Sequence, residues 1–252
     1  MKRWFIATLF LLGALVLAIA PAASVSSGND KKVEAKKAPE VPPREGKSET
    51  VKLFNGKDLE GWEGYMDLWS VKDGVIVARN DKPLKVSTYL FTKQKFSDFR
   101  LIVSAKLVES EMHSGIALWG KRITAPDKGN DPHGEFTYQG QLVMFPSGWG
   151  LFDLYRRGGA INPSQAIRDP AIKAGKQHDW NEMEILAQGN RIRLVVNGKL
   201  ALDWRDPDPK LVAEGPIALQ LHSNSIPQEI HFKGLVVTTF PEDKLVTVND
   251  GK

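Results

Sequence analysis

The stretch DFRLIVSAKLV, residues 98–108, keeps Phe99, Leu101, Val103, Ala105 and Leu107 on alternate positions. In an extended chain successive side chains leave on opposite faces, so these five share one surface. A helix, with its period of 3.6, cannot gather them on one side. The same texture recurs. Residues 180–187 turn Met183, Ile185 and Ala187 one way and Glu182 and Glu184 the other. Residues 191–196 turn Ile192, Leu194 and Val196 inward and both arginines outward. Asp73-Gly74 and Asn197-Gly198 supply tight turns between apolar pieces. Residues 216–222 and 230–239 read as two further strands, and no stretch after Val51 holds a helical period for three turns. Many short strands at roughly ten-residue spacing predict an all-β domain, a two-sheet antiparallel β-sandwich.

That domain occupies residues 51–240 of a chain of 252, with a tail over 241–252. Residues 1–23 have the parts of a secretory signal peptide: Lys2 and Arg3, an uncharged run from Trp4 to Ala20, and small residues at Ala20 and Ala22. Export to the periplasm or the cell exterior is expected. If the segment stays uncleaved, it becomes an N-terminal membrane anchor, and no other membrane contact is expected. The chain has no cysteine, which removes lipid attachment through a thiol, disulfides and thiolate metal sites. Residues 24–50 are rich in Lys, Glu, Pro and Ser without one aromatic, the composition of a disordered linker. The formal charge is +4, most of it from Lys2, Arg3 and the linker, so the domain is near neutral. That balance gives no reason to expect nucleic acid as a partner.

Candidate functional residues come from strand parity. In YQGQLVMF, residues 138–145, Gln139 and Gln141 share a face with Val143 and Phe145, opposite Tyr138, Gly140, Leu142 and Met144. Two amides on one surface either meet solvent or grip a ligand. Gln220 and His222 share a face opposite Ile217, Leu219 and Leu221, and His231 and Lys233 lie opposite Ile230 and Phe232. The connection SNSIPQ is short enough to make these two strands antiparallel neighbours. One surface would then hold amides, imidazoles and an ammonium, the donors and acceptors suited to sugar hydroxyls. For proton transfer His222 is the first choice and His113 the second, because imidazole titrates near neutrality. Residues 148–159 bring Trp149 and Tyr155 beside Arg156 and Arg157. With Trp119 these aromatics are either a stacking platform for a sugar or core residues. The arginines could hold an acidic substituent. Glu182 and Glu184 sit about 7 Å apart along a strand. They suit a cross-strand ion pair with Arg193 better than a retaining glycosidase pair, held at about 5–5.5 Å. No histidine has metal-ligand spacing, so neither a metal nor a cofactor is expected.

Several pieces taken together carry a resemblance. LFNGKDLEGWEG (53–64), WSVKDGVIVA (69–78), SGIALWG (114–120), WNEMEILAQGNRIRLVVNGKLALD (180–203) and GPIALQLHSNSIPQEIHFKGLVV (215–237) resemble, in order and spacing, the 3-keto-disaccharide hydrolase domain family. The resemblance implies a concanavalin A-like jelly roll, a carbohydrate on its concave face, and cleavage of a glycosidic bond in a sugar oxidised at C3. Gln141, Gln220 and His222 match the family pattern; with His222 or His113 moving protons, Gln141 joins them in the catalytic set, and Gln141, Gln220 and Lys233 are expected to position the substrate and polarise its oxygens. Gln139 stands where a glutamate is usual, His113 where an asparagine is, Trp119 where an arginine is, and Lys233-Gly234 where Arg-Asn is. Three functions stay open on this reading: a glycoside-cleaving hydrolase, a lectin-like module binding without turnover, and a tethered envelope interaction domain.

Overall fold

The structure, a computed structural model, describes residues 38–110, 112–125, 131–145, 150–155, 159–212 and 214–249. The proposed signal segment therefore lies outside the described residues. The strands are β1 (Thr50–Lys52), β2 (Trp62–Glu63), β3 (Trp69–Lys72), β4 (Val75–Asn80), β5 (Thr88–Phe96), β6 (Phe99–Glu109), β7 (Ser114–Ile123) and β8 (Thr137–Phe145). They continue as β9 (Gly150–Asp153), β10 (Ala160–Ile161), β11 (Asn181–Gln188), β12 (Arg191–Val196), β13 (Lys199–Arg205), β14 (Gly215–Leu221) and β15 (Gln228–Thr239), with one α-helix among the described residues, α1 (Gln165–Ala174).

Among the described residues these strands form two antiparallel sheets. The first runs β13-β12-β11-β6-β15-β4-β3, with β1 added on β15; the second runs β10-β9-β8-β7-β14-β5-β2. The predicted sandwich is thus the observed one. The alternation of residues 98–108 appears directly as burial: Phe99, Leu101, Val103, Ala105 and Leu107 are all buried between the sheets. From the second sheet Ile116, Leu118, Val143, Leu219 and Leu221 enter the same core. Each such side chain contributes about 1.5–3 kcal/mol by leaving water. In β15 the inward parity changes from Ile230 and Phe232 to Leu235 and Val237. A register shift between Lys233 and Val236 inserts the extra residue, at Gly234 with φ +66°. Asp73-Gly74 and Asn197-Gly198 have positive φ at both residues, as tight hairpins require. Helix α1 left no readable period because it is only ten residues long and contains Pro170.

Two expectations about connections change. First, β14 and β15 are not neighbours: β14 pairs with β5 and β7 in the second sheet, β15 with β4 and β6 in the first. Six linking residues reach about 20 Å when extended, ample to cross the ~10 Å between stacked sheets. Asn224 is caught midway by a two-way backbone bridge to Leu84. Second, the expected linker over 24–50 meets the domain well before its end. Asn190 donates to the Pro39 carbonyl at 2.8 Å and accepts from Val41 N at 3.1 Å. Arg44 ion-pairs with buried Asp98, which also accepts from Arg44 N at 2.6 Å and Gly189 N at 3.0 Å.

Beyond Phe240 the chain covers the outer surface of the first sheet. Glu184 points outward from β11 but is fully buried, because residues 246–247 cap it. Its ion-pair partner is Arg100 on β6 at 2.9 Å, not Arg193. Arg193 stands opposite Leu186 in the register and pairs with Asp243 of the tail.

Candidate functional site

The outer face of the second sheet is unusual for a sandwich exterior, being apolar. Tyr89 and Phe91 of β5, Ala117 of β7, Tyr138, Leu142 and Met144 of β8, and Ala218 of β14 form a cluster separate from the intersheet core. Phe91 and Tyr138 stack with centroids 5.6 Å apart and planes 15° apart, and Tyr89 lies 5.9 Å from Tyr138. These residues come from strict alternation: while Ile217, Leu219 and Leu221 go into the core, Ala218, Gln220 and His222 face out. The end of the β7–β8 hairpin is shaped by a bulge, where the register slips between Leu118 and Lys121. Glycines make it possible. A Cβ on Gly120 would lie 1.9 Å from the Gln139 carbonyl oxygen, and one on Gly140 would lie 3.0 Å from the Gly120 Cα.

A cleft of about 500 Å³ opens on this face, lined among others by Tyr89, His113, Tyr138, Leu142, Gln220 and His222. Gln220 is held from two sides. Ser114 Oγ donates to its backbone carbonyl at 2.7 Å, and its own Nε2 donates to Tyr89 Oη at 2.9 Å. The side-chain Oε1 of Gln220 is buried and has no partner among the described residues. Tyr89 accepts through its oxygen, so its own proton is left to donate. Burial keeps that phenol protonated by pushing its pKa well up. Tyr138, by contrast, has spent its hydroxyl on the Pro216 carbonyl at 2.7 Å.

The two histidines meet edge to face, with ring centroids 4.6 Å apart. His222 Nδ1 lies 2.5 Å from the Ser223 carbonyl oxygen, an acceptor, so the neutral ring carries its proton on Nδ1 and keeps the Nε2 lone pair. The loop is fixed in turn: Ser223 N donates to Ser87 Oγ at 3.0 Å. Burial lowers the pKa of His222, opposed by the Ser223 contact. Burial, and then the nearby His222, bring His113 down to about 4. Both rings are therefore neutral bases at physiological pH.

The structure brings together His222, His113 and Gln220 and separates the rest of the predicted patch. His231 and Lys233 project from the outside of the first sheet, since β15 belongs there. His231 contacts Glu229 at 2.6 Å, and the Lys233 ammonium sits 4.0 Å over the Trp180 ring. Gln139 and Gln141 do share a face, but it is the core side, with Val143 and Phe145. Gln141 is fully buried, donates to Asp206 Oδ2 at 3.0 Å, and does not line the cleft. Trp119 is a core residue whose Nε1 donates to the Ser97 carbonyl at 2.5 Å. The Tyr155 hydroxyl braces the backbone at the Trp119 and Leu211 carbonyls, and neither Trp119 nor Tyr155 lines the cleft. Trp149, Arg156 and Arg157 lie outside the described residues. Sequence reasoning missed Tyr89 and Tyr138. Tyr138 was visible as the opposite face of the glutamine strand; Tyr89 sits in an apolar run, YLF, with no parity to read.

The fold and the site together define an antiparallel β-sandwich of two sheets with an aromatic cleft on one outer face. More narrowly, the chain belongs to the 3-keto-alpha-glucoside-1,2-lyase-like domain family, whose profile matches residues 49–238. No curated protein sequence matches it. Among solved structures, a candidate glycosyl hydrolase from Parabacteroides distasonis ATCC 8503 is similar at 16% identity and TM-score 0.51, over 75% of this chain and 93% of that one. A second such protein from the same organism is similar at 18% identity and TM-score 0.51, over 76% and 99%. A protein described as a native glycosidic hydrolase is similar at 12% identity and TM-score 0.52, over 77% and 96%. At these identities the likeness is one of fold.

Proposed function

We propose that this domain cleaves a glycosidic bond in a sugar oxidised to a ketone at C3, in the cleft of Tyr89, His113, Gln220 and His222. The observation that carries the reading is the Tyr89–Gln220–His222 arrangement in a cleft of a 3-keto-glucoside-lyase-like domain. The C3 ketone acidifies the C2–H bond. His222 Nε2 takes that proton, and the electron pair moves into the C3 oxygen as an enolate. The Tyr89 hydroxyl donates to that oxygen, and the unpartnered Gln220 Oε1 accepts from a sugar hydroxyl. The enolate then expels the C1 substituent, which leaves with the proton handed on by the His222 imidazolium, restoring the neutral base. Water adding across the resulting C1–C2 double bond completes a net hydrolysis. His113, neutral and in edge contact, orients His222.

Incubating the purified chain with 3-keto-glycosides and their unoxidised parents tests this. Release of aglycone from the keto forms alone is expected. Release from both equally, or from neither, overturns it. A lectin-like role is the second reading, favoured by one observation: no carboxylate lines the cleft among the described residues. It predicts sugar binding with no release. Export through residues 1–23 is also proposed, and N-terminal sequencing of the protein from its host tests it: a start near residue 24 supports cleavage, a start at Met1 refutes it.

A further inference from the structure

A second cleft, of about 450 Å³, lies on the same outer face and takes no part in the proposed cleavage. Its walls include Lys93 and Lys95 of β5 and Lys121 and Arg122 of β7, against Glu63 and Glu214. Arg122 is fixed: its Nε donates to the Glu135 carbonyl at 2.8 Å, its guanidinium lies 4.0 Å over the Phe136 ring, and Glu63 is 3.7 Å away. Among the described residues the ammonium groups of the three lysines make no ion pair or hydrogen bond. Four cations against two carboxylates leave this lining net positive, a field that favours an entering anion.

The two clefts adjoin. Arg122 lines the cationic one and Ile123, the next residue, lines the first. Phe91 lines the cationic cleft and Tyr138 the first, and these two rings are the stacked pair that separates them. A ligand chain crossing that aromatic stack would put one unit against Tyr89 and Gln220 and another among the cations. Stacked rings beside neutral amides suit pyranose faces. We propose that the cationic cleft binds the acidic part of a saccharide, a carboxylate or sulfate ester, whose neighbouring unit occupies the first cleft. A nucleic acid is disfavoured, because the domain as a whole is nearly neutral.

Calorimetric titration of the purified chain in 0.15 M NaCl tests this with four probes: a galacturonate hexamer, a sulfated galactan hexamer, a neutral glucohexaose and a single-stranded oligodeoxythymidylate. At least one acidic saccharide should bind ten times more tightly than the neutral one, and whichever binds names the acidic group. The Lys93→Ser/Lys121→Ser variant should lose that advantage by at least tenfold. A charge-matched control, Lys57→Ser/Lys72→Ser, alters exposed lysines outside the cleft and should keep it. The proposal is overturned by equal affinity for acidic and neutral chains, by unchanged binding in the cleft variant, by an equal loss in the control, or by equally tight oligonucleotide binding. The readout is binding, so absence of cleavage in the keto-glycoside assay leaves this result separately scored.

Discussion

Glu184 gives a prediction that separates a structural acid from a catalytic one. Its carboxylate is fully buried and accepts from Arg100 Nε at 2.9 Å, Val246 N at 2.9 Å, Thr247 N at 2.8 Å and Thr247 Oγ1 at 2.8 Å. Charge-assisted hydrogen bonds contribute about 1.5–3 kcal/mol each when counted alone. Their sum overstates the loss, because burying the carboxylate already cost several kcal/mol. The measurable quantity is the cost of leaving Arg100 Nε and two tail amides without their acceptor. Removing one member of a buried ion pair costs about 3–5 kcal/mol. In a domain of this size 1 kcal/mol shifts Tm by about 2–4 °C, so Glu184→Ala should lower Tm by about 6–20 °C. Amide exchange at Val246 and Thr247 should lose its protection at the same time, since Glu184 is what holds them. Glu182→Ala, on the same strand face but exposed, should stay within about 0.5 kcal/mol of the parent. Calorimetric melting of the three proteins decides it. If Glu184→Ala melts with the parent, or loses turnover while keeping its Tm, the structural assignment fails.

Tyr89→Phe keeps the ring stack but removes the donor to the enolate oxygen, so kcat on a 3-keto-glycoside should fall about 10²–10³-fold, while the Gln220 amide left without its acceptor lowers stability by about 1–3 kcal/mol. His222→Gln should abolish turnover. In the parent, kcat/KM should be flat above pH 6.5 and fall on the acid side only below that value, because the folded-state pKa of His222 is lowered. The same sign governs stability: the unfolded chain takes up protons near the ordinary imidazole pKa, the folded chain only lower, toward about 4 for His113. Stability should be constant above about pH 6.5 and decline as pH falls toward 4, read as Tm against pH. Trp119→Ala should cost about 3–5 kcal/mol in denaturant unfolding, as a core deletion does, with no change in sugar affinity.

Parity was legible in the sequence wherever one face of a strand is buried, and it placed Gln220 and His222 beside each other correctly. It could not say which face of the second sheet carries function. Gln141 points toward the core because Asp206, sixty-five residues on, offers its amide a carboxylate there, a contact no local pattern encodes. Nor could it assign layers: His231 and Lys233 have the outward parity expected, but on the other sheet. Trp119 escaped because the bulge at 118–121 changes which residues alternate. Glu184 shows the same limit from the outside, since its cover comes from the far end of the chain.

The docking of residues 39–44 has a directional consequence. Those residues grip Asp98 and Asn190, at the Phe99 end of β6. His113 follows the Glu109 end of that strand, about 35 Å away for eleven residues at ~3.3 Å each. The docked segment of residues 39–44 therefore sits at one end of β6, while the imidazole pair follows the other. A change that loosens residues 39–44 from Asp98 and Asn190 should thus leave the His113–His222 contact as it is.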